Sequence, residues 1–452
     1  MKATKIIATY GPASSNPEIL KAMADAGMDA VRLNLSHMKP EQLSETVEKI
    51  RSILPNIAII ADLPGVKMRL DVTSPLTLKT GDVLTLKQNT HPTIRPWAKV
   101  KGLAAGQDVL FGDGSLIAEC LSAKEDEIVL RAKCDMRITP RLGVAFPQAE
   151  VLLPALTEED LLWLQHINKT DIDWVCVSFA QDAEDIKRVK QNAPGRPVVA
   201  KVERAEAVRN LEEIAKAADG LMVARGDLGL AVGLVNVPLL QKEILHLAIR
   251  LDKLGIVATQ IMESMREAAV PTRAEVSDVA NAVMDGADAI VLTGETAVGR
   301  HPVEAVQAAQ DVTSRVGFVG PDVESGLCRE SPIADAVCDA AVRAADDLSA
   351  AAIACFTATG RTAILLSRYL PQRPVFALTD QIHTARKLRI VRGVTPLLLP
   401  GFTQMEKMLN NAEEVLLANG LKTGDTVVFV SGTPVGVPGR TDALLIRRLG
   451  SN

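Results

Sequence analysis

The sequence predicts an α/β protein with three parts: a TIM (β/α)8 barrel, a small β-barrel domain inserted after barrel strand three, and a C-terminal doubly wound α/β domain. Three observations support this prediction. Eight short apolar runs alternate with amphipathic stretches, a pattern typical of a parallel sheet covered on both faces. The interval after the third run is too long for one repeat and is rich in turn signals. The alternation then restarts after residue 320.

The barrel prediction depends on the order of strands and helices. The eight predicted strands are residues 5–10, 30–35, 57–62, 174–179, 198–202, 220–224, 256–260 and 289–293. Apolar residues recur at helical spacing over residues 17–26, 41–53, 158–166, 205–217 and 239–254. Eight such units favour a TIM barrel, and an open doubly wound sheet of eight strands is the alternative.

The insertion and the C-terminal domain follow from turn residues and renewed alternation. Residues 71–150 lack long helical periodicity and carry glycine turns, and residues 83–86 and 128–130 resemble short strands. Further strands are predicted at residues 351–357, 375–378, 395–399, 426–431 and 444–446, after a linker at 317–332. The predicted boundaries are 1–70 and 151–325 for the barrel, 71–150 for the lid-like insertion and 326–452 for the C-terminal domain.

Composition narrows the class of protein. The 452 residues include 50 Lys and Arg against 55 Asp and Glu, a formal net charge of −5. The overall charge therefore does not favour binding to nucleic acid or to an anionic membrane. No apolar run reaches the ~18 residues of a membrane span, and the first residues do not resemble a secretory signal. The six cysteines are scattered without a CxxC pair. We therefore expect a cytoplasmic protein without nucleic-acid or membrane partners.

Polar residues at the ends of the predicted strands are the candidate site, because the barrel interior below them is packed with aliphatic side chains. Lys201 and Glu203 are two apart on one strand and therefore face the same side. A structural ion pair is the plain alternative. Glu203 with Asp227 suits Mg²⁺, a hard ion that takes carboxylate oxygens and completes its shell from substrate and water. Arg32, Arg69 and Lys201 supply cations for a phosphate or carboxylate, so we expect a Mg²⁺-assisted enzyme for a small phosphorylated substrate.

Eight segments of the chain together resemble pyruvate kinases. They are TKIIATYGPAS at 4–14, VRLNLSH at 31–37, VSFAQDAEDI at 177–186, AKVERAEAV at 200–208, DGLMVARGDLG at 219–229, ATQIMESM at 258–265, PTRAEVSDVANAVMDGAD at 271–288 and GETAVGRHP at 294–302. Their order and spacing are similar to those of the family across essentially the whole chain. The resemblance implies Mg²⁺-dependent phosphoryl transfer from phosphoenolpyruvate to ADP, giving pyruvate and ATP in glycolysis.

The resemblance also implies residue roles. Glu203 and Asp227 would hold Mg²⁺, with Mn²⁺ as a substitute ion. Arg32, Lys201 and Thr259 would be catalytic: Arg32 clamps the phosphate, Lys201 stabilises the transferring phosphoryl group, and Thr259 relays a proton through ordered water. The substrate carboxylate would lie against a group made of Ala224, Gly226, Asp227 and Thr259. The predicted nucleotide-binding residues are Pro12, Asn34, His37, Arg69 and Arg141.

One departure from the family concerns the monovalent cation. Relatives that require K⁺ hold it with residues matching Asn34, Ser36, Asp62 and the position of Leu63, and carry an acidic residue where this chain has Lys67. The ammonium of Lys67 can supply the positive charge that K⁺ provides elsewhere. The sequence therefore predicts activity that does not require K⁺.

The C-terminal domain carries a candidate effector site rich in hydroxyl groups. Residues 357–362 form a strand-to-helix turn, and residues 431–434 and 439–441 form a second loop. Such loops cradle phosphate through backbone N–H groups and arginine, although an ordinary helix cap explains the same residues. The candidate phosphate ligands are Thr357, Thr359, Gly360, Arg361, Thr362 and Arg440.

Other functions remain open at this level. The resemblance implies an allosteric homotetramer that binds a sugar-phosphate or nucleotide effector. The alternatives are a Mg²⁺-dependent lyase or aldolase acting on a pyruvate enolate, which would not need the insertion or the C-terminal domain, and a catalytically silent sensor of a phosphorylated metabolite. The combination of Arg32, Lys201, Glu203, Asp227 and Thr259 argues against lost chemistry.

Overall fold

The computed structural model describes residues 2–112, 114–322, 331–400, 404–433 and 440–450. The first part of the chain begins a barrel, and a side chain just before the first helix caps its N-terminus. Strand β1 (Lys5–Thr9) leads to helix α1 (Pro17–Asp25), whose N-cap Asn16 accepts a hydrogen bond from the backbone of Glu18. The elements that follow are β2 (Ala30–Asn34), α2 (Leu43–Ile53) and β3 (Ala58–Asp62), with 3₁₀ turns at Leu35–His37 and Pro40–Gln42.

The chain then leaves the barrel to form the inserted domain, whose described residues form strands, turns and loops. Its strands are β4 (Arg69–Asp71), β5 (Leu76–Leu78), β6 (Val83–Lys87), β7 (Thr93–Arg95), β8 (Lys99–Lys101), β9 (Asp108–Phe111), β10 (Leu116–Ala123), β11 (Glu127–Ala132), β12 (Met136–Ile138), β13 (Val144–Ala145) and β14 (Glu150–Leu152). Antiparallel strands in the order β13-β9-β10-β11-β6 form its main sheet. A separate core that includes Leu86, Phe111 and Leu130 fills it.

The barrel resumes after the insertion and contributes five more strands. The elements are α3 (Glu158–Ile167), β15 (Trp174–Val177), α4 (Ala183–Asn192), β16 (Val198–Val202), α5 (Ala205–Arg209), α6 (Leu211–Ala217), β17 (Gly220–Ala224), α7 (Arg225–Val232), α8 (Val237–Arg250), β18 (Leu254–Ala258), α9 (Arg273–Met284), β19 (Ala289–Leu292), α10 (Gly294–Ala297) and α11 (Pro302–Val316). Further 3₁₀ turns lie at Leu234–Asn236 and Glu263–Arg266.

Most predicted elements are present with ends shifted by one to four residues, and two of the differences have a clear cause in the backbone. The helix expected over 205–217 is two helices, because the backbone leaves helical geometry at Asn210. The strand expected over 256–260 begins at Leu254 and ends at Ala258, because Thr259 and Gln260 have φ of 69° and 53°. That left-handed geometry cannot continue a strand.

The eight parallel strands close into a barrel in the order β1-β19-β18-β17-β16-β15-β3-β2. Closure confirms the TIM barrel over the open-sheet alternative. Buried side chains such as Ile7, Ala30 and Ile60 fill the interior, and their cluster continues into the core of the C-terminal domain at Cys338 and Ile353. The opposite faces of the strands pack against the surrounding helices.

The C-terminal domain is a five-stranded sheet between helices. Its elements are α12 (Pro332–Asp347), β20 (Ala352–Phe356), α13 (Arg361–Arg368), β21 (Val375–Thr379), α14 (Ile382–Leu388), β22 (Val394–Leu398), α15 (Met405–Ala418), β23 (Thr426–Ser431) and β24 (Ala443–Arg448). The strand order is β22-β21-β20-β23-β24, parallel except for β24. Half of the predicted linker, residues 323–330, lies outside the described part of the chain.

This domain packs against the N-terminal ends of the barrel strands through buried charged groups. Arg368 and Asp288 form an ion pair with only 1% and 0% of their side chains exposed. Lys5 donates to the carbonyl of Val394 at 2.6 Å, and Arg392 donates to the hydroxyl of Thr4 at 3.1 Å. The C-terminal domain therefore covers part of the barrel end opposite the strand C-termini. None of the described helices is by itself long and apolar enough to cross a membrane. Two consecutive helical segments, Arg225–Val232 and Leu234–Arg250, have sufficient length and apolar composition only when taken together, and a sharp bend separates them.

Candidate active site

The period-two alternation of barrel strands brings the charged residues together. Ala30, Ile60 and Val199 lie in the buried interior, and the residues two positions further along each strand face the same way. These are Arg32, Asp62 and Lys201, all at the C-terminal ends of their strands. The register pairs Asn34 with Asp62 across β2 and β3. The sequence-predicted cluster at the barrel mouth is therefore present.

Asp62 holds the phosphate-binding candidate Arg32 in place. The Nε of Arg32 donates to Oδ2 of Asp62 at 2.7 Å, and its Nη1 donates to Oγ1 of Thr9 at 2.9 Å. Burial raises the pKa of Asp62, but the nearby cations Lys201 and Arg32 outweigh it and hold that pKa below its usual value. The carboxylate therefore stays charged and fixes the guanidinium that faces the site.

Lys201 forms one hydrogen bond, to Ser178, and two ion pairs, with Glu203 and Asp62. Its Nζ lies 2.8 Å from Oγ of Ser178, 3.0 Å from Oε1 of Glu203 and 3.3 Å from Oδ1 of Asp62. Burial lowers the pKa of Lys201, whereas the charges of Asp62 and Glu203 raise it, and the net shift is upward. Lys201 is therefore a permanent cation in the site, not a general base.

Glu203 and Asp227 form an acidic pair that fits a divalent metal. Both line the cleft at the barrel mouth. Burial raises the pKa of Glu203, Lys201 lowers it and the charge of Asp227 raises it further. Two facing carboxylates offer the hard oxygen donors that Mg²⁺ prefers, and their mutual repulsion favours a bound cation.

Lys67 already supplies one positive charge to this pair. Its Nζ lies 2.5 Å from Oδ1 of Asp227, and its stem passes Gly143 of the inserted domain, where an added Cβ would stand 3.2 Å from the Cε of Lys67. Lys67 was expected to lie near Asp62, as part of the monovalent-cation region, but it does not. The carboxylate of Asp62 is surrounded by Arg32, Lys201 and Ser178. Lys67 therefore contacts the metal-binding side of the site.

The candidate carboxylate pocket is built from the N-terminus of α7 and a strained turn. Ala224 is the N-cap residue of α7, and the backbone N–H of Gly226 donates to Oγ1 of Thr259 at 2.9 Å. The guanidinium of Arg225 donates to the carbonyls of Thr259 and Gln260. Asp278 holds that guanidinium at 2.7 Å and 2.8 Å. Positive φ in a β-branched residue is costly, so this clamp keeps the Thr259 hydroxyl aimed at the helix N-terminus.

The inserted domain closes over the same cleft. Phe146 and Val151 of this domain line the cleft together with Glu203 and Asp227. At Gly114 an added Cβ would stand 2.7 Å from Leu230 of α7, so the two domains approach closely there. Contact of this kind excludes water from the reacting groups.

The other predicted site residues lie around the rim. Arg69 donates to the backbone carbonyl of Arg141 at 3.0 Å, which joins two nucleotide-binding candidates of the lid. Pro12 and His37 are exposed, and Asn34 accepts from the backbone of Ser36 at 3.3 Å. Leu63 is buried, and its carbonyl accepts from Ser178 at 2.7 Å.

The candidate effector turn is well ordered by its own hydroxyl groups. Thr357 accepts from the N–H of Gly360 at 2.9 Å, and Thr362 pairs with Thr441 of the second loop at 2.8 Å. Thr359 is exposed. Arg440 donates to the carbonyl of Thr433 at 3.3 Å. The intervening residues 434–439 lie outside the described part of the chain.

Sequence reasoning missed three residues that organise this site. Ser178 follows β15 directly, so the rule that polar residues at strand ends form the site would have found it. Arg225 lies in the segment 219–229 without a predicted role, and Asp278 lies 53 residues further along the chain on α9. No local pattern connects those two residues, because only barrel closure brings them together.

A closed (β/α)8 barrel whose mouth carries an acidic pair, fixed cations and a covering domain defines an enzyme for small anionic substrates. The pyruvate kinase barrel-domain model matches residues 1–306, and the pyruvate kinase alpha/beta-domain model matches residues 335–447. This chain belongs to the pyruvate kinase family and is a phosphotransferase with pyruvate kinase function.

Curated relatives match over nearly the whole chain. The pyruvate kinase of Methylorubrum extorquens is 37% identical over 98% of this chain and 97% of its own length. That of Thermotoga maritima is 34% identical over 99% and 100%, and that of Geobacillus stearothermophilus is 34% identical over 98% and 80%. The match includes the inserted and C-terminal domains, and it argues against the lyase and sensor alternatives.

Proposed function

We propose that this chain transfers the phosphoryl group of phosphoenolpyruvate to ADP in the cleft lined by Glu203 and Asp227, beside Lys201. The observation that carries this assignment is the fixed ammonium of Lys201, which has one hydrogen bond, two ion pairs and a raised pKa. The P–O bond to the enol oxygen breaks and a new P–O bond to a terminal oxygen of ADP forms. The enolate left behind takes a proton at carbon to give pyruvate.

Phosphoryl transfer depends mainly on cations held in position around the transferring group. Negative charge spreads over the equatorial oxygens of the phosphoryl group in the transition state. Lys201 meets this charge by giving up its longest contact, the 3.3 Å contact to Asp62. Asp62 is left with the bonds from Arg32 at 2.6 Å and 2.7 Å, so no buried carboxylate loses all its partners.

Glu203 and Asp227 are the residues that would hold Mg²⁺, with Mn²⁺ as a substitute. A bound Mg²⁺ neutralises phosphate charge and orients the substrate. Lys67 must release Oδ1 of Asp227 for that oxygen to become a ligand, and its exposed fraction of 31% allows it to move. The side chains of the site bind the metal, orient the substrate and exclude water.

Thr259 is proposed to deliver the proton to the enolate through ordered water. Its Oγ1 accepts from Gly226, so its own O–H bond is free to point elsewhere in the cleft. Arg225 and Asp278 hold the turn that aims it. Pro12, Asn34, His37, Arg69 and Arg141 are the proposed contacts of the nucleotide.

We further propose that turnover does not require K⁺. The ammonium of Lys67 supplies a positive charge to the site at Asp227, on its metal-binding side and away from Asp62. Regulation by a phosphorylated effector at Thr357–Thr362 and Arg440 and assembly as a homotetramer are proposals that rest on the resemblance to the family. A cytoplasmic location is proposed from the composition of the chain.

The test is pyruvate formation from phosphoenolpyruvate and ADP with Mg²⁺ in Tris buffer, without K⁺ and with KCl, at constant ionic strength. We expect strong turnover in both media. Turnover only with K⁺ would keep the transfer activity and refute the argument from Lys67. Pyruvate release without ATP, or no reaction in either medium, would overturn the proposed function.

A further inference from the structure

A short connection joins the barrel to the inserted domain directly beside the proposed metal-binding carboxylates. It comprises residues 63–68, between the end of β3 and the start of β4. Nη2 of Arg204 donates to the carbonyl oxygen of Val66 at 3.1 Å, and Nζ of the next residue, Lys67, lies 2.5 Å from Oδ1 of Asp227. Two neighbouring residues of the connection are therefore fixed to the barrel mouth by separate contacts.

The guanidinium of Arg204 is positioned by an aromatic ring. Its Cζ lies 5.0 Å from the centroid of the Phe179 ring, a distance at which a guanidinium and an aromatic face attract each other. The connection passes the same ring, since a Cβ added at Gly65 would stand 2.9 Å from Cδ2 of Phe179. Gly65 has a φ of 61°, so glycine suits both the close approach and the backbone conformation. Phe179 therefore lies against both the connection and the side chain that fixes it.

Glu203, one of the two proposed metal-binding residues, fixes the backbone of Phe179. The N–H of Phe179 donates to Oε2 of Glu203 at 2.7 Å. Phe179 is buried and has a φ of 55°, which is a costly conformation for a bulky residue. The hydrogen bond to Glu203 stabilises this conformation. Glu203 is thereby linked through Phe179 to Arg204, and so to the connection.

The two contacts of the connection respond differently to a bound metal. Lys67 must leave Oδ1 of Asp227 before that oxygen becomes a ligand, so the connection then loses this contact. The acceptor of Arg204 is the backbone carbonyl of Val66, which is not a proposed ligand, so this contact persists. Nη1 of Arg204 is buried and has no hydrogen-bond partner among the described residues. Such a buried donor costs free energy, and it is available to the connection when the connection moves.

A third contact acts nearer to the barrel. The N–H of Gly65 donates to Oδ1 of Asp160 at 3.0 Å, and Asp160 is a buried residue in the first turn of α3. This contact fixes the beginning of the connection, one residue before Val66. The part that leads into the inserted domain therefore depends on Arg204 once Lys67 has moved.

We propose that Arg204 is a positioning residue for phosphoryl transfer, which keeps the inserted domain over the cleft when a divalent metal displaces Lys67 from Asp227. The inference rests on the proposed function, because it uses the metal-binding role of Glu203 and Asp227. A displacement of about 1 Å in the reacting groups can cost 10²-fold in rate. Loss of the Arg204 contact should therefore lower kcat although Arg204 takes no part in the chemical step.

Hydrogen–deuterium exchange followed by mass spectrometry tests this role without turnover. Peptides that cover residues 63–70 are compared with and without Mn²⁺ in the full-length protein. In the wild type we expect Mn²⁺ to change their exchange rate by less than about threefold, because Arg204 still fixes Val66. In Arg204→Met we expect Mn²⁺ to raise that rate about tenfold or more, because both contacts are then lost. Peptides from α8 should exchange alike in both proteins, which distinguishes a local effect from general loosening.

Kinetic measurements test the consequence for phosphoryl transfer. Arg204→Met should lower kcat about tenfold or more. The dissociation constant of Mn²⁺, measured by water-proton relaxation, should change by less than about threefold because Glu203 and Asp227 remain. Arg204→Lys keeps the charge and a donor near Val66, so its kcat and its exchange should lie between those of Arg204→Met and the wild type. Arg209→Met, which changes an exposed residue of α5, is the matched control and should behave as the wild type in both measurements.

Four results would overturn the proposal. These are the same response of residues 63–70 to Mn²⁺ in Arg204→Met as in the wild type, a kcat of Arg204→Met within about threefold of the wild-type value, values for Arg204→Lys no better than those for Arg204→Met, and equal losses in Arg209→Met. Any of them, in a wild type that forms pyruvate and ATP, would refute the role of Arg204 and leave the proposed function intact. Absence of phosphoryl transfer in the wild type would overturn both.

Discussion

Replacing Lys201 by Met tests the centre of the proposed mechanism. Met has a similar length and no charge, so the change removes one positive group while largely keeping the packing. Three side chains lose their contact with the ammonium: Ser178, Glu203 and Asp62. Asp62 keeps its bonds from Arg32, and Glu203 keeps the N–H of Phe179 at 2.7 Å. The site should therefore stay folded and still bind metal.

The expected loss follows from the burial of the ammonium. Only 12% of the Lys201 side chain is exposed, so water cannot readily replace it. Loss of one preorganised donor to developing charge costs about 10²–10³ in kcat, or ~2.7–4 kcal/mol. Dissociation constants for Mn²⁺ should change by less than about tenfold, because the interaction that is lost is strongest in the transition state.

Three measurements separate catalysis from structure in this variant. Initial rates give kcat, water-proton relaxation gives Mn²⁺ binding, and NMR in D₂O follows exchange of the methyl protons of pyruvate. We expect proton exchange to survive better than phosphoryl transfer, since Thr259 remains. Lys187→Met, which changes an exposed lysine of α4, is the control and should leave kcat unchanged. A kcat within about threefold of the wild-type value, or a loss of metal binding equal to the loss of kcat, would refute the role assigned to Lys201.

Three further predictions concern charge. Lys67→Glu should make turnover respond to K⁺, because the tethered cation is lost; the same KCl response in variant and wild type would contradict this. Arg368→Met should lower the free energy of unfolding by about 3–5 kcal/mol, since Asp288 remains buried and charged. Urea unfolding measures this, and the exposed-pair control Arg343→Met should cost less than about 0.5 kcal/mol. Burial raises the pKa of Asp252 to about 6, so the folded state binds more protons than the unfolded state between pH 4 and 6, and stability falls as pH rises through that range. Asp252→Asn should therefore raise Tm at pH 7 and change it little at about pH 4, and an equal gain at both values would count against the assignment.

The sequence by itself determined the main architecture and the identity of the charged cluster. The alternation of apolar runs and amphipathic helices predicts the barrel because a parallel strand must bury both faces. The two-residue spacing of Lys201 and Glu203 places them on one face of β16, and the structure has them 3.0 Å apart. These features depend only on the local period of the backbone, which the sequence reveals directly.

Tertiary structure decided which distant groups meet. Lys67 pairs with Asp227, 160 residues away, whereas the sequence pattern suggested the neighbourhood of Asp62. The contact depends on how the inserted domain closes on the barrel. The pairing of Lys387 with the loop at Gly195 likewise depends on docking of the C-terminal domain. Hydrogen bonds and ion pairs act over a few ångströms, so their partners are fixed only when chain closure sets the distance between segments that local sequence cannot relate.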